Sequence, residues 1–202
     1  MHAQLESIAD GLAEHGYAVV DQFLSQDEVN AILAAESFKA ENNDFRKAGI
    51  GKNEAHQINE AIRGDYIRWL DHRTAPPAVR LYLDRLRELM LHLNRSLYLS
   101  LKDFEVHMTV YPSGSFYKRH LDQFKKEDHR RLSVICYLNA DWKEQHGGQL
   151  RMHFDGDKVD ILPLAGRLVC FRSEMIEHEV LPATRERLSL TGWLLDHLVE
   201  LR

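Results

Sequence analysis

The chain has 202 residues, of which 44% are hydrophobic and 28% are charged, and its formal net charge is −5. This length fits one domain, and the apolar content is sufficient for a buried core. The negative charge argues against a general attraction to nucleic acid or acidic membranes. No apolar run approaches the roughly 18 residues that a membrane span needs, and the first residues do not read as a signal peptide. The two cysteines, Cys136 and Cys170, lie in apolar runs, which is typical of reduced thiols in a cytoplasmic protein.

The N-terminal half contains three predicted helices. Apolar residues recur at helical spacing over about residues 1–15, and a second helix begins after Ser25 and fades near Ala40. Ser25 and Glu28 form the sequence pattern of a capping box at its start. Over residues 75–98, a start with two prolines and a long apolar stripe predict a third helix that covers one face of a sheet.

Between the second and third helices, residues 41–71 lose any regular period, because Asn and Gly interrupt the apolar positions. A loop of this length in a compact domain is usually functional or disordered. Two interpretations stay open for it. The segment is either a connection that lies on the sheet or a lid that faces the substrate.

After Leu101 the sequence pattern changes to short strands separated by turn residues. Eight strands at this spacing predict a mainly β fold, a double-stranded β-helix (a cupin-like jelly roll) with the N-terminal helices packed on one sheet. We expect a single domain over residues 1–202, with helical support and a substrate loop in residues 1–103 and the jelly-roll core in residues 104–196. The predicted strands are 104–111, 117–120, 132–138, 149–154, 158–162, 167–171, 176–180 and 188–195.

The triplet His120-Leu121-Asp122 is the strongest candidate for a metal site. Alternate residues of a strand point to the same face, so His120 and Asp122 can reach one point in space. A third ligand from a distant strand, His178, would complete a face of two histidines and one carboxylate, which suits non-haem Fe(II) because three coordination positions stay open. About two His-x-Asp/Glu triplets are expected by chance in this composition. The second one, His153 with Asp155, falls at a predicted turn and is the weaker candidate.

A basic residue follows this candidate metal site. Nine residues beyond His178, Arg187 can offer a permanent, fork-shaped cation to a carboxylate. Arg185 is its competitor, because it would lie on the same strand face if the last strand began early.

Several segments stand in a characteristic order: Tyr111-Pro112, residues 117–122, residues 137–142, residues 147–151, and His178-Glu179-Val180 followed by Arg187, Ser189 and Trp193. This series resembles the catalytic core of the Fe(II)- and 2-oxoglutarate-dependent oxygenases, and within them the prolyl 4-hydroxylases. Upstream, residues 16–21 and 62–65 resemble the cytosolic, oxygen-sensing type of prolyl hydroxylase and its bacterial relatives.

The resemblance implies a jelly-roll enzyme that uses Fe(II), 2-oxoglutarate and O2, with ascorbate as a further candidate reductant. It implies that His120, Asp122 and His178 hold the iron and form the catalytic centre. Asp122 counts against the halogenase branch, which lacks this carboxylate.

The resemblance also implies the pocket of the cosubstrate. Arg187 would pair with the distal carboxylate of 2-oxoglutarate, and Tyr137 would donate a hydrogen bond to it. Tyr111 and Thr191 would lie beside them. Collagen-type members use Lys at the place of Arg187, so the Arg favours the cytosolic type.

The function that we expect is hydroxylation of a prolyl residue in a protein, with release of succinate and CO2. The candidates for substrate contacts are Arg46, Ile50, Arg63, Asp65 and Arg130, and Asp65 is also a candidate ion-pair partner of Arg130 or Arg131.

Three alternatives stay open. They are the same chemistry on a free amino acid or other small molecule, an oxidative nucleic-acid demethylase, and a metal-binding jelly-roll interaction module without turnover. The net charge of −5 argues against the demethylase. We expect a monomer with no nucleic-acid or membrane partner.

Overall fold

The computed structural model describes residues 1–36, 44–49, 61–123 and 129–198, which contain three α-helices and eleven β-strands. The helices are α1 (His2–Glu14), α2 (Gln26–Ala35) and α3 (Pro77–Leu97). The strands are β1 (Tyr17–Val20), β2 (Arg46–Lys47), β3 (Tyr66–Trp69), β4 (Asp103–Tyr111), β5 (Tyr117–His120), β6 (Arg130–Tyr137), β7 (Leu150–Phe154), β8 (Asp157–Ile161), β9 (Leu168–Arg172), β10 (Glu177–Val180) and β11 (Arg187–Leu195).

The strands form two antiparallel sheets. The large sheet has the order β1-β9-β6-β11-β4-β3-β2, and the small sheet has the order β5-β10-β7-β8. All eight strands predicted after Leu101 are present, and their ends agree with the prediction within two residues. The expectation of a mainly β protein with N-terminal helices is therefore confirmed.

The two faces of the large sheet are buried in different ways, because side chains alternate along its strands. On β11, Leu190 and Leu194 point towards the helices and join the main hydrophobic core. On β4 and β6, Tyr111 and Tyr137 point the other way, into a second apolar cluster between the sheets. Polar groups placed on this second face are thus buried between the sheets.

An apolar stripe packs the helices on the sheet, and a charged contact joins two of the helices to each other. Helix α3 buries eight residues of its stripe, among them Leu86, and each such Leu contributes roughly 1.5–3 kcal/mol when it leaves water. At the start of α2, Ser25 and Glu28 form the predicted capping box. Arg85 of α3 donates hydrogen bonds to both carboxylate oxygens of Glu28 and to the carbonyl oxygen of Phe23. This contact joins α2 to α3.

Two predictions for the segment after α2 were wrong. The helix ends at Ala35 rather than near Ala40, because Glu36 adopts extended backbone angles (φ −131°, ψ 142°). The segment 41–71 is not free of regular structure, since β2 pairs with β3, and β3 pairs with β4 in the large sheet. Strand β3 has no buried residue, so it lacks the burial alternation that would have revealed it. Part of the segment, including Ile50, lies outside the described residues.

Of the helices within the described ranges, none is both long and apolar enough to cross a membrane.

The contact between Arg85 and Glu28 predicts a stability difference that depends on pH. Glu28→Ala should lower the free energy of unfolding by about 1–2 kcal/mol at pH 7, because it removes both the capping box and a partly exposed ion pair. Hydrogen bonds from Arg85 lower the pKa of Glu28 from its usual 4.5. The stabilisation is therefore present above pH 4.5 and is lost as the pH falls through the lower folded-state pKa.

Urea unfolding at several pH values measures this difference. The control is Asp27→Ala, an acidic residue in the same first turn, which should cost less than Glu28→Ala at pH 7. Equal losses from the two variants at pH 7 would contradict the role given to Glu28.

Candidate metal and cosubstrate site

The three residues predicted as metal ligands come together at one end of the small sheet. His120 ends β5, Asp122 follows it by two residues, and His178 lies on β10 directly opposite His120. The Nε2 atom of His120 is 3.5 Å from Oδ1 of Asp122, and the Nε2 atom of His178 is 3.7 Å from Oδ2. Neighbouring ligand atoms of an octahedral ion with bonds of about 2.1 Å lie roughly 3 Å apart, so a small closure brings these atoms to binding distance.

Main-chain carbonyls orient both imidazole rings. Nδ1 of His120 lies 2.7 Å from the carbonyl oxygen of Lys118, and Nδ1 of His178 lies 3.1 Å from that of Ile176. A carbonyl oxygen only accepts, so each Nδ1 donates to its carbonyl and each Nε2 faces Asp122. Burial lowers the pKa of His178 to about 4. Two imidazole nitrogens and one carboxylate therefore face a common point.

Asp122 is held in its charged form. Burial by itself would raise the pKa of Asp122, but His178, His120 and a hydrogen bond from Ser133 hold it well below its usual range. Oγ of Ser133 donates to Oδ2 of Asp122 at 2.6 Å, and it is itself 2.9 Å from Oγ of Ser173. Sequence reasoning missed both serines. Ser133 could have been found, since it is a lone polar residue in an apolar strand and shares its face with Tyr137.

The competing triplet has a different arrangement. His153 lies in β7, and its Nε2 atom is 3.0 Å from Oε1 of Glu179 on β10. Asp155 follows the strand in the turn to β8. His153 thus has a cross-strand carboxylate as its partner.

A buried cation lies between the two sheets. Arg187 is only 1% exposed, at the start of β11 opposite Tyr111 of β4. Its Nε atom donates to the carbonyl oxygen of Gly148 at 2.9 Å, and its guanidinium carbon is 4.9 Å from the ring centre of Tyr137. The Nη2 atom of Arg187 and the hydroxyl of Tyr137 are both buried without a hydrogen-bond partner among the described residues. Such groups are costly unless a partner binds them, and a carboxylate can accept from both.

The other residues predicted for this pocket lie on the same face. The ring of Tyr111 is 5.2 Å from the guanidinium carbon of Arg187. Thr191 follows Arg187 by two alternations on β11, and its Oγ1 atom is 3.1 Å from Oγ of Ser189. Arg185 precedes the strand, is exposed, and lies over the ring of Trp142. Of the two arginines, only Arg187 enters the space between the sheets.

Two of the candidate substrate contacts serve the frame of the site. Arg63 makes two hydrogen bonds of 2.6 Å to the buried carboxylate of Asp65, and it stacks on Tyr117 at 4.4 Å. The ring of Tyr117 in turn stacks on His120, with centroids 3.6 Å apart. Asp65 therefore does not pair with Arg130 or Arg131 as we had considered. The stacking of Arg63 on Tyr117 and the backbone bridge between these residues tie the segment before β3 to the strand that carries His120.

The other candidates for substrate contacts either lie near the surface or fall outside the described residues. Arg130 donates to Oε1 of Glu105 at 2.7 Å and lies 3.5 Å above the ring of Trp193. Arg46 is exposed on the edge strand β2. The placement of Ile50 lies outside the described residues.

Sequence reasoning missed an aromatic rim at the end of the site, formed by Trp69, His107 and Trp193. The ring of Trp69 is 5.0 Å from that of His107, and His107 is 5.6 Å from Trp193. Trp193 lies on the same face of β11 as Arg187, and Trp69 is 46% exposed. Burial lowers the pKa of His107 to about 4, so its ring is neutral at pH 7 where it packs between the two tryptophans. Trp69 lies in the strand that the sequence did not reveal, and therefore the rim was not predicted.

Comparison with known proteins agrees with this site. Residues 106–195 match the 2OG-Fe(II) oxygenase superfamily. A solved prolyl-4-hydroxylase of Pseudomonas putida is 44% identical, with a TM-score of 0.85 over 96% of this chain and 100% of that one. A prolyl hydroxylase of Trichoplax adhaerens, solved with a peptide fragment of the hypoxia inducible factor oxygen degradation domain, is 26% identical, with a TM-score of 0.85 over 96% of this chain and 90% of that one.

Two curated relatives are much longer than this chain. Human Egl nine homolog 1 is 31% identical over 95% of this chain and 46% of its own length. The hypoxia-inducible factor prolyl hydroxylase of Caenorhabditis elegans is 30% identical over 95% of this chain and 28% of its own length. The chain thus spans less than half of either protein.

The fold, the convergence of His120, Asp122 and His178, and the similarity to these known proteins together define a non-haem iron oxygenase. The chain belongs to the 2OG-Fe(II) oxygenase superfamily, and the relatives named above are prolyl hydroxylases. Members of this superfamily use Fe(II), 2-oxoglutarate and O2. The residues present fit these groups. The three candidate ligand atoms converge, and a carboxylate suits the Nη2 atom of Arg187 and the hydroxyl of Tyr137, which have no partner among the described residues.

The arrangement of the ligands predicts how metal affinity responds to mutation. His120→Ala or His178→Ala should abolish tight Fe(II) binding, because each removes one of three converging donors. His153→Ala should retain an Fe(II) affinity close to that of the wild type, since His153 contacts Glu179 and is not one of the three converging donors. Competition with a chromogenic Fe(II) chelator measures these affinities. Equal losses from His120→Ala and His153→Ala would show that the ligand set is misassigned.

The two arginines provide a matched pair for the cosubstrate. Arg187→Ala should weaken 2-oxoglutarate binding by a hundredfold or more, because removing one side of a buried charge pair costs about 3–5 kcal/mol. Arg185→Ala should leave the affinity near that of the wild type, since Arg185 is exposed. Titration calorimetry with 2-oxoglutarate and Mn(II) in place of Fe(II) measures both. A larger loss from Arg185→Ala would overturn the assignment.

Proposed function

We propose that this protein is a dioxygenase that hydroxylates a prolyl residue in a protein substrate, with 2-oxoglutarate as cosubstrate and succinate and CO2 as products. The observation that carries this function is that His120, Asp122 and His178 converge in the same space between the sheets as the buried Arg187, whose Nη2 atom has no partner among the described residues. The prolyl hydroxylases of known structure that match almost the whole chain support the substrate class.

We infer that the two sheets form a double-stranded β-helix, or jelly roll, within a single domain. Strands β4, β6, β9 and β11 lie in the large sheet and β5, β7, β8 and β10 lie in the small one. The chain therefore crosses repeatedly between the sheets, as a jelly roll requires. In this arrangement residues 1–103 supply the helices and outer strands, and residues 104–196 supply the core.

The proposed roles of the residues follow from their positions. His120, Asp122 and His178 would hold Fe(II), which with 2-oxoglutarate and O2 supplies the oxidising power to hydroxylate an unactivated carbon. Arg187 and Tyr137 would bind the distal carboxylate of 2-oxoglutarate, and its negative charge would satisfy both orphaned groups. Burial raises the pKa of Tyr137, so the phenol keeps its proton and donates.

The frame around these groups excludes water and holds their geometry. The aromatic stack of Tyr117 on His120 and the hydrogen bond from Ser133 to Asp122 fix two ligands from the outside. The apolar cluster between the sheets, including Ile135 and Phe171, removes water from the pocket. Dry surroundings strengthen the interaction of Arg187 with a bound carboxylate.

The aromatic rim supports an extended substrate that contains proline. Proline-rich segments commonly dock on aromatic side chains. Their extended conformation is already formed before binding, so they lose little conformational entropy. Trp69 presents such surface on the face of the large sheet that carries the site, the buried Trp193 packs beside it, and Arg130 lies over Trp193. The rim would bind the polypeptide next to the metal. Among our earlier candidates, Arg130 and Arg46 stay proposed contacts.

Three further properties remain proposals. We propose that ascorbate serves as a reductant and that the protein is a monomer in the cytoplasm. The buried, unpaired thiols of Cys136 and Cys170 support the cytoplasmic location.

The function is tested by trapping a substrate and oxidising it. Proteins bound by the inactive His178→Ala variant are captured from a cell extract and then treated with wild-type protein, Fe(II), 2-oxoglutarate and O2. We expect succinate release and one peptide that gains a single oxygen on proline, and no gain after that proline is changed to alanine. Succinate release with free amino acids alone would favour a small-molecule substrate. No succinate under any condition would favour a non-catalytic module.

The aromatic rim predicts a separation of two kinetic effects. Trp69→Ala should raise KM for the peptide found above by roughly tenfold, as removing a partly exposed aromatic anchor costs about 1–2 kcal/mol. Turnover of 2-oxoglutarate without peptide should stay near that of the wild type, since Trp69 touches neither the ligand triad nor Arg187. The control is Tyr98→Ala, an aromatic residue that is 86% exposed beyond α3. An unchanged KM in Trp69→Ala would place the peptide elsewhere.

A further inference from the structure

Two more groups of His and carboxylate side chains converge in the described part of the chain, away from the Fe(II) ligands. One joins the N-terminal helix to α3 through His2, Glu6 and His92. The other consists of His129, Asp196 and His197. The mechanism proposed above uses neither group.

The first group has the spacing of a metal site built on helices. His2 and Glu6 are four residues apart on α1, so their side chains lie on the same face of the helix. His92 of α3 is buried, and its Nε2 atom faces the same carboxylate and lies 3.3 Å from Oγ of Ser96, which a metal ion would replace. Oε1 of Glu6 is 3.7 Å from Nε2 of His2 and 3.7 Å from Nε2 of His92. All three ligand atoms lie within 4.8 Å of one another.

These distances fit a shared cation better than hydrogen bonds. At 3.7 Å neither imidazole forms a hydrogen bond with Glu6. Tetrahedral zinc with bonds of about 2.0–2.1 Å places neighbouring ligand atoms roughly 3.3–3.5 Å apart. The observed separations are only a few tenths of an ångström larger, and His2, at 83% exposed, is free to move inwards.

The second group is a poorer site because its carboxylate is already engaged. Oδ2 of Asp196 is 2.6 Å from Nη2 of Arg131, and Oδ1 is 3.0 Å from Nδ1 of His129. The fixed charge of Arg131 would repel a metal ion there. Among the described residues, the ion pairs of Glu6 are with His2 and His92, so this carboxylate has no permanent cation as a rival.

A metal at the first group would have a structural consequence. Helix α1 has no side-chain hydrogen bond at its N-cap and no acidic residue in its first turn. Its first turn therefore lacks the usual stabilisation of a helix start. A metal that bridges this turn to α3 would stabilise it, and the binding free energy would add to the stability of the fold.

We propose that His2, Glu6 and His92 bind one divalent transition-metal ion, for which Zn²⁺ fits the two nitrogen donors and one oxygen donor, and that this ion clamps α1 to α3. An exposed fourth position is left for water. The site is separate from the Fe(II) ligands in residues and in elements.

The clamp is tested in a His120→Ala/His178→Ala background, in which the Fe(II) site cannot compete. We expect this protein to bind one Zn²⁺ by titration calorimetry and to gain thermal stability with Zn²⁺. Adding Glu6→Gln or His2→Ala should weaken Zn²⁺ binding by roughly tenfold or more and remove the gain in Tm, since each removes one donor. Both positions are at least half exposed, so the variants retain the fold.

The matched control is His15→Ala, an exposed histidine at the opposite end of α1, which should retain both Zn²⁺ binding and the gain in Tm. Equal Zn²⁺ affinity with and without Glu6→Gln would overturn the proposal, as would the absence of Zn²⁺ binding in the background protein. Sedimentation with Zn²⁺ is the second readout, and the clamp predicts a monomer that does not change. Dimers formed only with Zn²⁺ would overturn the clamp, because the ion would then bridge two molecules.

Discussion

A guanidinium buried between two sheets without a complete set of partners is the feature on which the site depends. Arg187 is the largest fully buried side chain among those described. Its Nε atom donates to the carbonyl of Gly148, and its Nη2 atom has no partner among the described residues. An unpaired buried charge costs several kcal/mol, so the fold must offset this cost or a ligand must remove it. The surroundings fit the second case, because the hydroxyl of Tyr137 is orphaned beside it. A dicarboxylate satisfies both groups at once.

Local geometry then positions the three candidate metal ligands relative to that cation. Antiparallel pairing sets His178 opposite His120, and main-chain carbonyls two residues before each histidine orient the rings. The packing around Gly148 leaves no space for a side chain beside Arg187. The φ of Gly148 is +71°, and an added Cβ would lie 2.9 Å from Cβ of Ala183 and 3.3 Å from Cδ of Arg187. Only glycine places its carbonyl against Arg187 without displacing these neighbours.

The sequence predicted those parts of the structure that follow from local pattern. The change of period and the turn residues located the ends of the eight strands within two residues, whereas the common pocket of Arg187 and Tyr137 was expected from the resemblance. The capping box of Ser25 and Glu28 was visible because a helix start is a local motif. The convergence of His120, Asp122 and His178 was predicted from spacing and from resemblance, and their role as ligands stays a prediction that metal binding must test.

Other parts depend on contacts that no local pattern contains. Strand β3 is held by β4 rather than by burial of its own side chains, so its alternation was too weak to detect, and the packing of Trp69 against His107 was missed with it. Asp65 could have met any of several arginines. The fold places Arg63 beside it and brings Arg130 to Glu105 instead. Which acid meets which base is decided by tertiary packing.

Two ligands that differ only at the distal carboxylate test most directly whether Arg187 binds this group. Binding of 2-oxoglutarate and of 2-oxopentanoate, which carries a methyl group at that place, is measured on the Mn(II)-loaded wild type and on Arg187→Leu. If Arg187 binds the distal carboxylate, the wild type should bind 2-oxoglutarate about a hundredfold or more tighter than 2-oxopentanoate. The two ligands should bind Arg187→Leu with similar affinity. A preference that survives unchanged in Arg187→Leu would contradict this role of Arg187, because the carboxylate would then be bound by another residue.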